Sequence, residues 1–167
     1  NALIASTRPG IAERALAAVF EFVCKKDGAQ DLAYDTIIMS GKNHAYGHYH
    51  QYDRVLNDGD FVILDAAPDY ENYHVDISTT FPASGRFSPR QKELYEAALG
   101  VHDVCLRQYR PGVTFREIGQ QVDAHLKAKG LERFAQDFRG IIRLGGYNHS
   151  IGLATHDVMG AFAGPDE

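Results

Sequence analysis

Residues 63–82, ILDAAPDYENYHVDISTTFP, place two aspartates, Asp65 and Asp76, inside what otherwise has the pattern of a β-hairpin. Apolar and β-branched residues flank the polar centre Asp69-Tyr70-Glu71-Asn72, the composition of two strands and a turn. With a four-residue turn over 69–72, Asp65 faces Asp76 across the hairpin. Directly opposed residues carry Cβ atoms about 4.5–5.5 Å apart, so the two carboxylates converge on one point. Converging carboxylates in a partly buried place repel, and either one takes a proton or both meet a cation. A shared divalent metal supplies that charge and takes oxygen ligands. The competing possibility is a solvated hairpin face with one aspartate at a strand end, because two carboxylates eleven residues apart are not a specific motif.

Outward from the hairpin, the chain reads as one globular domain. Its 167 residues are 44% hydrophobic and 23% charged, enough to bury a sizeable core. The net charge of -5, with no basic run, excludes nucleic acid as the partner. No apolar stretch approaches the roughly 18–20 residues of a membrane span, and NALIASTRPG lacks the parts of a signal peptide, so no membrane partner is expected. Cys24 and Cys105 each fall in a helical pattern and are expected to be core thiols rather than a disulfide, which points to a reducing, cytoplasmic location. The start at Asn1 and the loop-like end GAFAGPDE lead to the expectation that both ends are cut.

Helices and strands alternate. PGIAERALAAVFEFVCKKDG carries an apolar stripe at Ile11, Leu16, Val19, Phe20 and Val23, closed by Gly28. LAYDTIIMSG and DGDFVILDAA read as strands. Two further helices open with capping boxes, Ser88 with Gln91 behind Pro89 at the first helical position, and Thr114 with Glu117, the latter helix ending at Gly130. The segment from FRGIIRLGG to THDV is glycine-rich and reads as strand and loop.

An internal repeat follows from these helices. RPGIAERALAAVFEFVCKKDG at 8–28 aligns without a gap on RPGVTFREIGQQVDAHLKAKG at 110–130, an offset of 102 residues. Duplication predicts an α+β fold of two halves, the first about 1–85 and the second beginning about 86 and running to 167, with a site between them. The counterpart of Asp65 at that offset would fall just past Glu167.

The histidines add to the carboxylate pair. His102 and His125 lie in helical patterns and are assigned no chemical role. His44, His48 and His50 crowd NHAYGHYH just before the hairpin, and His149 and His156 bracket HSIGLATH. His149 falls within one residue of the repeat position of His48. Neutral imidazole serves as a metal ligand or as a donor to a developing oxyanion.

GHYHQYDRVLNDGDFVILDAAPDYENYHVDISTTFPASGRFSPRQKELYE at 47–96, together with NHSIGLATHDV at 148–158, resembles the metallopeptidase family of Xaa-Pro aminopeptidases, Xaa-Pro dipeptidases and methionine aminopeptidases. The Asp-x10-Asp hairpin followed by ISTTFP, with His-x6-His-Asp downstream, carries the likeness, and SGRFSPRQKELYE with HYH places it nearest the proline-specific branch. The resemblance implies a pita-bread fold and two divalent metals sharing one hydroxide, with manganese the expected ion and cobalt or zinc the alternatives. It assigns Asp65, Asp76 and His149 as metal ligands, His48 as the histidine that contacts substrate near the scissile bond, and His156 as the donor to the scissile carbonyl. The histidine usual four residues before the ligand is replaced by Gly145.

The implied partner is a peptide with proline in second place, and a homodimer is left open. The metal ligand set also includes two glutamates with no counterpart in these 167 residues, so the domain is expected to be an incomplete, C-terminally truncated catalytic domain. The rival class is a metal-free member of the same fold, either a creatine-hydrolysing enzyme or a peptide-binding module. The 167-residue chain alone is therefore expected to cleave no proline-second tripeptide even with excess manganese, cobalt or zinc; robust metal-dependent turnover would contradict this.

Overall fold

The computed structural model describes residues 1–135 and 149–157 of the chain. Its elements are α1 (Ala2–Ser6), α2 (Glu13–Lys26), β1 (Asp31–Leu32), β2 (Ile37–Ser40), β3 (Phe61–Asp65), β4 (Pro68–Tyr70), β5 (Tyr73–His74), β6 (Ser78–Pro82), α3 (Pro89–Gln108) and α4 (Phe115–Ala128). Two short 3-10 turns, Gly41–Ala45 and Glu132–Phe134, complete them. The chain divides into two units, 1–91 with 151–157, and 92–150 with 158–167. The part of the glycine-rich segment between 136 and 148 lies outside the described residues, as does 158–167.

In the first unit, the stripe of α2 turns Leu16 fully inward, and Ile11, Val19 and Phe20 pack around a core of Leu3, Leu16, Ile38, Leu56, Val62 and Phe81. Two antiparallel sheets form, in the orders β1-β4-β5 and β2-β3-β6. LAYDTIIMSG is thus two short strands in different sheets, separated by 33–36.

The hairpin register differs from the sequence expectation. Glu71 and Asn72 both adopt left-handed backbone, with φ of 53° and 66°. A two-residue turn of this hand matches the twist of the flanking strands. It is therefore shorter by two residues than the four-residue turn expected, and Tyr70 pairs with Tyr73, Asp69 with His74, and Asp65 with Ser78. Asp76 moves to the diagonal position. Because side chains alternate across a strand, a slip of two residues keeps Asp76 on the same face as Asp65, where a slip of one would have lost it.

A buried carboxylate fixes the entrance to this sheet. Glu13, at the first turn of α2, is fully buried. Its Oε1 accepts from Ser40 N at 2.8 Å and Ser40 Oγ at 2.7 Å, and its Oε2 accepts from Asn43 Nδ2 at 3.1 Å and Arg54 N at 3.3 Å. The segment between Ser40 and Arg54, which carries His48 and His50, is thereby tied at both ends to one side chain. Arg54 adds an ion pair to Asp60 at 3.1 Å.

In the second unit, Thr114 and Glu117 form the capping box on α4, and Val101, Val104, Cys105, Ile118, Val122 and Leu126 form a core. Cys105 is buried and Cys24 half-buried, both as free thiols. The repeat is visible in local geometry: α2 and α4 each span 14 residues at the same offset of 102. Gly10 and Gly112, with φ of 88° and 86°, precede them at matching positions, and Gly28 and Gly130 follow, both with positive φ. The Ser88–Gln91 box is also present, at 2.9 and 3.3 Å, at the start of α3. No described helix is long and apolar enough to cross a membrane.

Glu13→Ala is expected to destabilise the chain by at least about 3 kcal/mol, because it strips the acceptor from several buried donors, each costing about 1–3 kcal/mol unsatisfied. Urea unfolding, read as a lower midpoint at unchanged slope, checks it.

Candidate functional site

Tyr34 lies in the link between β1 and β2, and its hydroxyl reaches two carboxylates at once. The phenolic oxygen is 2.7 Å from Asp65 Oδ1 and 2.9 Å from Asp76 Oδ1, all three side chains being half-buried. A hydroxyl has a single hydrogen, so it donates to one carboxylate at a time. Burial, and then the bonds to the two aspartates, push the Tyr34 hydroxyl up from the ordinary tyrosine value, so it stays a donor.

The pair opens on a cavity of about 480 Å³ lined by Tyr34, Asp35, His48, His50, Asp65, His74, Asp76, Thr155 and His156, with Ala33, Ile37 and Ala154. Three carboxylates and four imidazoles face it, and no lysine or arginine among the described residues does. An oxygen- and nitrogen-donor set without a fixed cation is the chemistry a divalent metal neutralises, and the residues fit such an ion. A carboxylate oxygen of Asp76 and a ring nitrogen of His156 lie within 4.8 Å of each other.

Of the residues singled out in the sequence, the first unit gathers Asp65, Asp76, His48 and His156 around one cavity. His149 belongs to the second unit, half-buried, with Nδ1 3.2 Å from the Ser150 carbonyl oxygen. His44 turns away: its Nε2 meets the Met39 carbonyl oxygen at 3.0 Å, and it does not line the cavity. His48 is exposed and holds a left-handed backbone, φ 50°, with its carbonyl 2.9 Å from His50 Nδ1. Strained backbone of this kind persists where surroundings over-determine it, here through the Glu13 anchors.

Tyr34 and His74 carried no motif. Tyr34 is 31 and 42 residues from its two partners, and no local pattern marks such a contact. His74 had a usable signal, standing two residues before Asp76 in a hairpin where alternate side chains share a face.

The model of metallopeptidase family M24 matches residues 1–166. The chain belongs to this family. Xaa-Pro aminopeptidase 3 of Dictyostelium discoideum is 35% identical over 153 residues, covering 88% of this chain and 29% of that protein. Xaa-Pro aminopeptidase of Escherichia coli is 33% identical over 162 residues, covering 90% and 36%. The chain thus spans about a third of the length of these relatives.

Among solved structures, zinc-substituted Escherichia coli aminopeptidase P in complex with product superposes with a TM-score of 0.78 at 30% identity, covering 93% of this chain and 38% of that one. The Pseudomonas aeruginosa aminopeptidase gives 0.76 at 32% identity, covering 93% and 37%. The fold of this M24 chain is the α+β pita-bread fold of these aminopeptidases.

Asp76→Asn, which keeps the size of the side chain and removes one carboxylate charge from the cavity, is expected to reduce any rise in melting temperature on adding a divalent cation. Thermal melts with chelator and with added manganese, cobalt or zinc measure it; an equal rise in the variant and the unaltered protein would take Asp76 out of the cation's surroundings.

Proposed function

We propose that the polypeptide carrying this chain is a metal-dependent exopeptidase that releases the residue before a proline, as an Xaa-Pro aminopeptidase or dipeptidase. The observation that carries it is the Tyr34 hydroxyl held between Asp65 and Asp76 in a cavity lined by imidazoles, without lysine or arginine among the described residues. Family membership and the Xaa-Pro aminopeptidase names of the relatives give the substrate class. The proposed ion pair is manganese, with cobalt or zinc as alternatives, and the proposed compartment is the cytoplasm. The chain is proposed as an incomplete catalytic domain, its first half about 1–85 and its second about 86–167.

Bound at this site, divalent cations supply Lewis acidity and make water a better nucleophile at neutral pH. The chain's own residues do the remaining work. Asp65 and Asp76 would hold the cation, and the Tyr34 hydroxyl stands against one oxygen of each carboxylate. His149 is proposed as a further ligand from its spacing to His156 and the family match. His156, beside Asp76, donates to the charge that develops on the scissile carbonyl, and His48 contacts the peptide near that bond. Proline needs such a dedicated site because its tertiary amide lacks an N–H and restricts the backbone.

The test is turnover of a proline-second tripeptide by the full-length polypeptide, with chelator and with added manganese, cobalt or zinc. Metal-dependent release of the first residue is expected, and His156→Ala is expected to lower kcat by about 10²–10³. Metal binding without turnover would make the protein a recognition module instead. Turnover that survives chelation would overturn the metal assignment.

A further inference from the structure

We propose that His74 is a positioning residue that sets the place of His156 against the aspartate pair; this rests on the exopeptidase reading for what His156 does, but not for the fastening itself. The segment Ile151–Asp157 has neither helix nor strand. Within it Gly152 N donates to the Ala154 carbonyl at 3.2 Å, and Leu153 N donates to Asp157 Oδ2 at 2.9 Å. A segment without helix or strand takes its position from contacts with the elements around it.

His74 supplies two. Its main-chain N–H donates to the Gly152 carbonyl at 2.7 Å, and its Nδ1 lies 3.1 Å from Thr155 Oγ1. Thr155 Oγ1 reaches on to the Ala33 carbonyl at 3.4 Å, next to Tyr34. On the other side of the ring, Nε2 stands 3.6 Å from Asp69 Oδ2. With the hydrogen on Nδ1, the ring donates to Thr155 Oγ1, which donates in turn to the Ala33 carbonyl; with it on Nε2, that N–H faces the Asp69 carboxylate and Nδ1 accepts from the Thr155 hydroxyl, so either tautomer ties the ring to Thr155.

Both ends of this link matter to the site. His74 is two residues before Asp76, and Thr155 is the residue before His156. His74, Asp76, Thr155 and His156 line the same cavity. A displacement of His74 therefore changes the Asp76–His156 separation without touching either residue. Misplacement of about 1 Å in a catalytic group is enough to cost up to 100-fold in rate. Because His156 acts on charge that develops only in the transition state, the loss falls on kcat rather than on KM.

Three variants in the full-length polypeptide test this: His74→Phe, which keeps a ring without nitrogens, His74→Asn, which keeps a polar group near Nδ1, and Thr155→Val. Deuterium exchange is read over the peptide containing 151–157, and kinetics on a proline-second tripeptide with manganese. His74→Phe and Thr155→Val are each expected to speed exchange in 151–157 about five- to tenfold, the worth of one net hydrogen bond, while β3 and β6 exchange as before. Each is expected to lower kcat at least about tenfold with KM within about twofold. His74→Asn is expected to recover most of both losses, and the double variant to be no worse than either single one. Unchanged exchange in 151–157, additive effects of the two single variants, or a loss confined to KM would overturn the proposal. Faster exchange spread over β3 and β6 would also overturn it, as general loosening. Exchange needs no substrate, so an inactive unaltered polypeptide would count against the exopeptidase reading while leaving the His74 link to be decided by exchange.

Discussion

A hydroxyl placed between two carboxylates sets the terms for the site in the first unit. Asp65 ends β3 and Asp76 lies just before β6, so neither can move away from the other without breaking the pairing of Asp65 with Ser78. Tyr34 enters from the link between the two sheets and its hydroxyl reaches both. The surrounding wall then offers imidazoles and a further carboxylate, with no lysine or arginine among the described residues. Oxygen and nitrogen donors of this kind are the ligands that divalent cations take.

Much of this was legible in the sequence because the signals were local. Helix boundaries followed from capping boxes and from glycines at both ends, and the 102-residue repeat survives as helices of equal length flanked by glycines of matching φ. The carboxylate pair was legible for a different reason: strand alternation forgives an error of two residues. Glu71 and Asn72 shorten the turn by adopting left-handed backbone, which asparagine tolerates and glutamate seldom does. The partner of Asp65 became Ser78, yet Asp76 stayed on the shared face.

What was not legible depends on contacts far apart in the chain. Tyr34 stands in a segment whose pattern announces only a strand, and its role exists because β1 and β2 belong to different sheets that bring their link over the hairpin. The histidines at 44–50 are sorted by backbone. The repeat and the resemblance single out His48; the 3-10 turn Gly41–Ala45 bonds His44 back to Met39, while His48 and also His50 line the cavity. Composition marked the neighbourhood, and local backbone geometry sorted its members.

Glu13 and the aspartate pair show how one chain treats buried charge in two ways. Glu13 is fully buried and both its oxygens are met by neutral donors from Ser40, Asn43 and Arg54. Nothing about it invites a ligand, and its effect is to fix both ends of the segment bearing His48. Asp65 and Asp76 are only half-buried, and the hydroxyl placed between them stands beside open space. A carboxylate closed in by enough hydrogens stabilises a loop, whereas carboxylates that face a cavity stay within reach of a ligand from solvent. The closed site holds a histidine-bearing segment at the rim of the open one, so the rigidity of the first gives the second a defined set of neighbours.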